Sequence, residues 1–278
     1  MDKVDHSKLT TVQNTITNIL NTVNNPDSSV KDLKYIIEVD PLLTANVIRL
    51  SNSAYYGYPK RVSEVQEAII CIGFDAVKEL ALSIKVSELF AGKEHFSGYS
   101  RVSLWKHSVA VALCSKMICR REFKRRGGNM YAAGLLHDLG LIILEQFEIR
   151  MFKEVFARNR RENKGLVDLE SETFGFSHMD VGKKVAELWG FPDEFVYAIG
   201  NHHEPLNAPE EFSLVSNIIF IADQICQSQM IGYTEKGELD KKTYFSALSR
   251  IGINEKSVEL IMKEVKTDFK KMEDEGLI

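Results

Sequence analysis

Apolar residues recur at spacings of three and four along almost the whole chain, and this period most narrows what it can fold into. The pattern is clear in LTTVQNTITNIL (9–20), DAVKELALSIKVSELF (75–90), HSVAVALCSKMI (107–118) and SVELIMKEVKTDF (257–269). Such spacing puts apolar side chains on one helical face and cannot serve a strand, whose period is two. Strict alternation over six residues is scarcely found, and β-branched runs such as SNIIFIAD (216–223) lie inside longer helical patterns. End signals agree. Asp40-Pro41 reads as an N-cap followed by proline at the first helical position. Ser177 and Asp180 read as a capping box, with Gly190 as the C-terminal cap and Pro192 just beyond. The expected fold class is all-α.

At 278 residues the chain can bury one or two substantial cores. With 44% hydrophobic and 27% charged residues it has the composition of an ordinary globular protein. A net charge of -4 gives no overall basic field, so nucleic acid is not the expected partner. The opening MDKVDHSKLTTVQ is polar and reads as neither a signal nor a transit peptide. No window approaches 18 uncharged apolar residues, so no membrane span is expected. Cys71, Cys114, Cys119 and Cys226 form no C-x-x-C pair and sit in apolar stretches. They read as small packed thiols of a reducing, cytoplasmic protein.

The stretch GKEHFSGYS (92–100), with two glycines and two serines, is the best boundary. It divides an N-terminal helical subdomain, 1–95, from a second helical subdomain, 96–278. The loop NSAYYGYPKRVS (52–63) reads as a structured turn that could present a surface to a partner. The basic run RREFKRRGG (120–128) reads as a solvated helix end, where positive charge suits the dipole. The segment 257–276 reads as an amphipathic helix that closes the bundle, or as a dimer seam. No receiver, sensor or DNA-binding segment is expected within these residues.

The second subdomain carries an ordered set of metal-type ligands: His107, His137-Asp138, His178, His202-His203 and Asp223. Imidazole and carboxylate suit first-row transition metals. Seven ligands are too many for one ion and suit two that share a carboxylate. His137 and Asp138 lie in YAAGLLHDLGLIIL, expected as a buried helix, where adjacent residues point about 100° apart. Asp223 is the sole acid in SLVSNIIFIADQICQ, and an ionised buried carboxylate needs compensation. Singly, each residue has a plain structural reading; the combination points to metal.

This set resembles the HD superfamily of metal-dependent phosphohydrolases, whose pattern is an isolated His, then His-Asp, then a distant Asp. His107, His137, Asp138 and Asp223 match it. His178 and His202-His203 resemble the added ligands of the binuclear HD-GYP branch. The resemblance implies one ion on His107, His137, Asp138 and Asp223, and a second on Asp138 as bridge with His178, His202 and His203. The strings DPLLTANVIRLSNSAYYGYP, VSEVQEAIICIGFDAVKELALSI and VAELWGFPDEFVYAIGNHHEP are similar to HDOD domains. Those are all-helical bacterial signalling-output modules whose metal site is usually eroded.

Two departures stand out. HD-GYP enzymes show His-Asp-x-Gly-Lys, whereas here HDLGL puts Leu141 in the place of the phosphate-binding lysine. Those enzymes also run from the double histidine into an acid-rich stretch ending Gly-Tyr-Pro, whereas here HHEPLNAPEEF has no such ending, and the Gly57-Tyr58-Pro59 triplet lies upstream of every ligand and is not that motif. Lys106, Lys183 and Lys184 are the cations near ligands in sequence. The expected function is therefore an HDOD-type signal-transduction protein with a retained binuclear site, acting through an unspecified signalling partner. The rival is a metal-dependent phosphodiesterase acting on a nucleotide such as a cyclic dinucleotide, with Asp138 bridging the ions. A third reading is a metal-stabilised scaffold. Two divalent transition-metal ions are expected, iron first, with manganese or zinc as alternatives. A homodimer is compatible with the sequence.

Overall fold

Helix α1 (His6–Asn24) opens the structure, a computed structural model describing residues 6–235 and 240–278, with side chains from residue 12. The first five residues of the stretch that decides the leader-peptide reading thus lie outside the described residues. Then follow α2 (Val30–Glu38), α3 (Pro41–Ser51), α4 (Val65–Ile72) and α5 (Phe74–Ser87). Helices α2 and α3 start at side-chain caps. Ser29 and Asp32 form a capping box on α2, and Asp40 accepts from the amides of Leu42 and Leu43 on α3. Lys85, buried in α5, forms ion pairs with Asp40 and Glu88, so the cap also joins α3 to α5.

The stretch 92–100, expected as a linker, is an ordered antiparallel hairpin, β1 (His95–Phe96) and β2 (Tyr99–Ser100). Its turn residues Ser97 and Gly98 both have positive φ, 45° and 79°, as a tight two-residue hairpin requires. Tyr99 is fully buried against Phe152 and Phe156, and its hydroxyl donates to Glu145 at 2.9 Å. The division expected at 95/96 falls on this hairpin, and one apolar cluster runs through both sides of it.

The second part begins with α6 (Arg101–Glu122), buried continuously from His107 to Ser115 and therefore central. Around it come α7 (Gly128–Leu136), α8 (Leu139–Phe147), α9 (Ile149–Glu162), α10 (Leu166–Phe174), α11 (His178–Leu188) and α12 (Asp193–Gly200). Helices α13 (Ser213–Ser228), α14 (Lys241–Arg250) and α15 (Glu255–Asp274) complete it. The end of α11 follows its sequence signal: Gly190 has φ 68°, its amide donates to Glu187 and that of Phe191 to Ala186. Helix α15 packs along α6, with Val258, Ile261, Val265 and Phe269 buried. The basic run ends α6, where Arg121 pairs with Glu264 and Arg126 with Asp75. No helix of the described residues is long and apolar enough to cross a membrane.

Candidate metal centre

All seven sequence-expected residues converge between α6, α11, α13 and the junctions after α7 and α12. One expectation is corrected on the way. Residues 131–144 are not one helix: α7 stops at Leu136, α8 starts at Leu139, and His137-Asp138 fill the break. Asp138 sits at φ −93° and ψ 17°, outside the helical well, which turns both side chains towards the same centre. His137 Nε2 lies 3.2 Å from Asp138 Oδ2.

The other oxygen of Asp138 faces the opposite way. Its Oδ1 is 3.6 Å from His178 Nε2 and 3.5 Å from His202 Nε2. Candidate ligand atoms accordingly fall into two groups that share Asp138: His107, His137 and Asp138, and Asp138, His178, His202 and His203. Asp223 stands beside the first, its Oδ1 accepting from His107 Nε2 at 2.9 Å. Six of the seven are buried, and His203 is partly open.

The histidine hydrogen bonds give the strongest sign of a cation. His137 Nδ1 faces the Gly134 carbonyl at 2.7 Å, and His202 Nδ1 faces that of Ile199 at 2.7 Å. His178 Nδ1 faces Glu170 Oε2 at 2.7 Å. A carbonyl or carboxylate only accepts, so each Nδ1 carries the proton and each Nε2 keeps a lone pair for the cluster. That is the way metal-ligating imidazoles are held. His137 Nε2 is buried with no hydrogen-bond partner. His178 and His202 bring their Nε2 atoms to 3.0 Å, where two neutral rings would oppose lone pairs. A positive charge between them removes the conflict. Two nitrogens about 2.1 Å from one ion and at a right angle lie roughly 3.0 Å apart.

Without an ion, a proton resolves it. Burial disfavours the charged form of His178, but the Glu170 carboxylate, and then Asp138, outweigh burial and push it up to about 9. Burial, joined by charged His178, keeps His202 below its ordinary value. His178 then donates to His202. The same burial holds His203 well below, with His202 and His178 adding to it. Burial likewise opposes ionisation of Asp223, yet its bond to His107 prevails and takes it to about 2.

A pH dependence follows. Metal must displace the His178 proton, so affinity is expected to rise about tenfold per pH unit up to about pH 9. Calorimetry of metal binding near pH 7.5 in buffers of different ionisation enthalpy should show proton release. The same raised value stabilises the metal-free fold fully below about pH 6.5 and loses that contribution as pH climbs through about 9. Binding without proton release would show His178 already neutral.

Glu170 was missed from sequence. It is fully buried in α10 and accepts from both the Nδ1 and the backbone amide of His178, the latter at 2.8 Å. A signal was there: Glu170 falls on the apolar stripe of Leu166 and Leu169, where an acid is out of place. Glu170→Gln keeps the shape but weakens the anchor. Metal affinity of the His178 half is expected to fall roughly 10–100-fold, read by competition with a chelating dye. An unchanged affinity would leave Glu170 a packing residue.

A cleft of about 650 Å³ leads from solvent to His203. Its described walls carry Asp168, Glu204, Glu235 and Asp240 and no lysine or arginine. Burial pushes the Glu235 carboxyl up to about 8, with Asp223 and Asp138 adding to the effect. The three lysines near ligands in sequence point elsewhere. Lys106 pairs with Glu273 at 2.5 Å, Lys183 lies over the Tyr197 ring and Lys184 pairs with Glu187. Leu141 is buried core.

A helical bundle closing histidines and aspartates around a His-Asp pair defines the HD class of proteins. The HDOD domain matches residues 9–205, and the chain belongs to that family. A solved HDOD domain protein from Geobacter sulfurreducens has the same fold, with TM-score 0.79, 24% identity and 96% of each chain covered. An uncharacterized protein of Treponema pallidum is 24% identical over 200 residues, 71% of this chain and 38% of its own length. Ribonuclease Y of Thermus thermophilus is 26% identical over 212 residues, 73% of this chain and 31% of its own length. The chain thus spans about a third of the curated relatives it matches.

Proposed function

We propose that this chain is a cytoplasmic signal-transduction protein of the HDOD type that holds two divalent transition-metal ions and acts through protein contacts. The observation that carries the metal reading is the split of Asp138, one oxygen towards His137 and the other towards His178 and His202. Three imidazoles anchored through Nδ1, with Nε2 turned to the cluster, support it. Iron leads among the metals, and manganese and zinc share the same ligand chemistry. Metal analysis by mass spectrometry, on protein purified without chelator, is expected to give ~2 transition-metal ions per chain. Nothing bound after reconstitution with iron or manganese would sink the metal reading.

The contact role, rather than turnover, rests on the cleft. Asp168, Glu204 and Asp240, with no described cation beside them, suit a phosphodiester poorly, because a like-charged entrance repels it. Leu141 adds no cation where the related enzymes have lysine. The second reading is a metal-dependent phosphodiesterase. It has in its favour that the cleft reaches His203 and that one relative is named for a nuclease. Reconstituted protein is expected to hydrolyse bis(p-nitrophenyl) phosphate and cyclic dinucleotides no faster than the free ions. Turnover abolished by Asp138→Asn would establish the enzyme instead.

A further inference from the structure

A second cavity, of about 310 Å³, lies between α3 and α5 on one side and α6, α7 and the end of α15 on the other. It shares no residue with the histidine cluster. Trp105 and Val109 line it from α6, each two residues from His107 and so on roughly the opposite helical face. Its volume is at the low end of small-molecule pockets, roughly 300–1,000 Å³.

Its lining is that of a ligand site more than a packing defect. Four rings contribute, of Tyr55, Tyr56, Trp105 and Tyr131. Tyr55 and Tyr56 come from the loop 52–63, held in shape by the Asn52 side chain, which bonds both the amide and the carbonyl of Val62 at 2.8 Å. That loop therefore turns two of its tyrosines inward. Neither phenol makes a hydrogen bond within the described residues, although burial raises the pKa of both. Tyr131 shares a hydrogen bond with Ser83 at 2.8 Å. Lys116 is already paired with Glu79. Arg49 is not: it is exposed at the rim and reaches only the Asn46 amide oxygen, at 3.4 Å, with no carboxylate partner among the described residues.

We propose that this cavity binds a small heteroaromatic ligand, of nucleobase size, that carries an acidic group. The ring packs among Tyr55, Tyr56 and Trp105, whose faces favour offset or edge contacts with another π-system. Polar ring edges meet the free phenols, and the acid meets the Arg49 fork. The inference is independent of whether metal is bound.

The probes are AMP, GMP, UMP and indole-3-acetate, titrated by calorimetry into chelator-treated full chain. At least one is expected to bind saturably below about 1 mM. Arg49→Ala should weaken that probe about tenfold while leaving adenosine or indole unchanged. Ser83→Trp, which fills the cavity, should abolish binding. None of the four binding below 1 mM would overturn the proposal. So would binding that survives both variants, or binding that His137→Gln alone removes, since this places the ligand at the histidine cluster.

Discussion

Asp138→Asn is expected to empty both halves of the centre at once. The substitution keeps the shape of the side chain and removes its charge, so the two groups of ligand atoms lose the one carboxylate they share. Metal content should fall from ~2 ions per chain to well below one after desalting. His178→Ala should remove only the half it belongs to. The metal-free protein should also suffer. Asp138 is held well below the carboxylate range, against its burial, chiefly by His137 and then by His202 and His178. Removing one partner of a buried charged network costs about 3–5 kcal/mol. Unfolding in denaturant with chelator present measures that part separately. If Asp138→Asn keeps two ions, the carboxylate is no bridge and the two groups are independent sites. If it loses the ions and the metal-free stability is unchanged, the charge serves metal alone.

How far the centre was legible in sequence depends on what each residue does. His107, His137, Asp138, His178, His202, His203 and Asp223 were legible because ionisable residues are expensive in apolar helices and their order is distinctive. Their convergence in the structure is a statement about geometry. The all-helical fold was legible through its period, and the caps of α3 and α11 through local chemistry. The break at His137-Asp138 was not, because an apolar run on either side reads the same whether or not two helices are joined there. Glu170 was hidden because its partner lies in the next helix, and between Asp168 and Glu172 in LVDLESETF it looks like one more surface acid. The hairpin at 95–100 was hidden because two-residue strands carry no period; only Tyr99, packed among aromatics, distinguishes it from a linker. The inward turn of Tyr55 and Tyr56 depends on helices α6 and α15, far along the chain, and no local pattern encodes it.

Gly140→Val is expected to be the most damaging single change outside the ligands. Gly140 lies where α8 crosses the start of α11, and a Cβ built there would sit 1.9 Å from the carbonyl oxygen of His178 and 2.9 Å from the amide of Gly182. Both are backbone atoms, so no side chain can swing aside and the helices themselves must part. Overpacking of a core typically costs 1–3 kcal/mol where side chains can adjust. Here a loss of at least about 3 kcal/mol is expected, a fall in melting temperature of roughly 6–12 °C for a chain of this size. The functional consequence is more specific than the loss of stability. The first residue of α11 is His178, so moving that helix away from α8 draws His178 from Asp138, only one residue before Leu139 starts α8. The His178 half should lose its ion while the His107–His137 half, carried by α6 and the end of α7, keeps its own. Metal analysis of Gly140→Ala, the milder variant, at a temperature where it stays folded would then read close to one ion per chain. Two retained ions with unchanged melting would mean that α8 and α11 tolerate a wider crossing and that Glu170, not the glycine contact, fixes His178 in place.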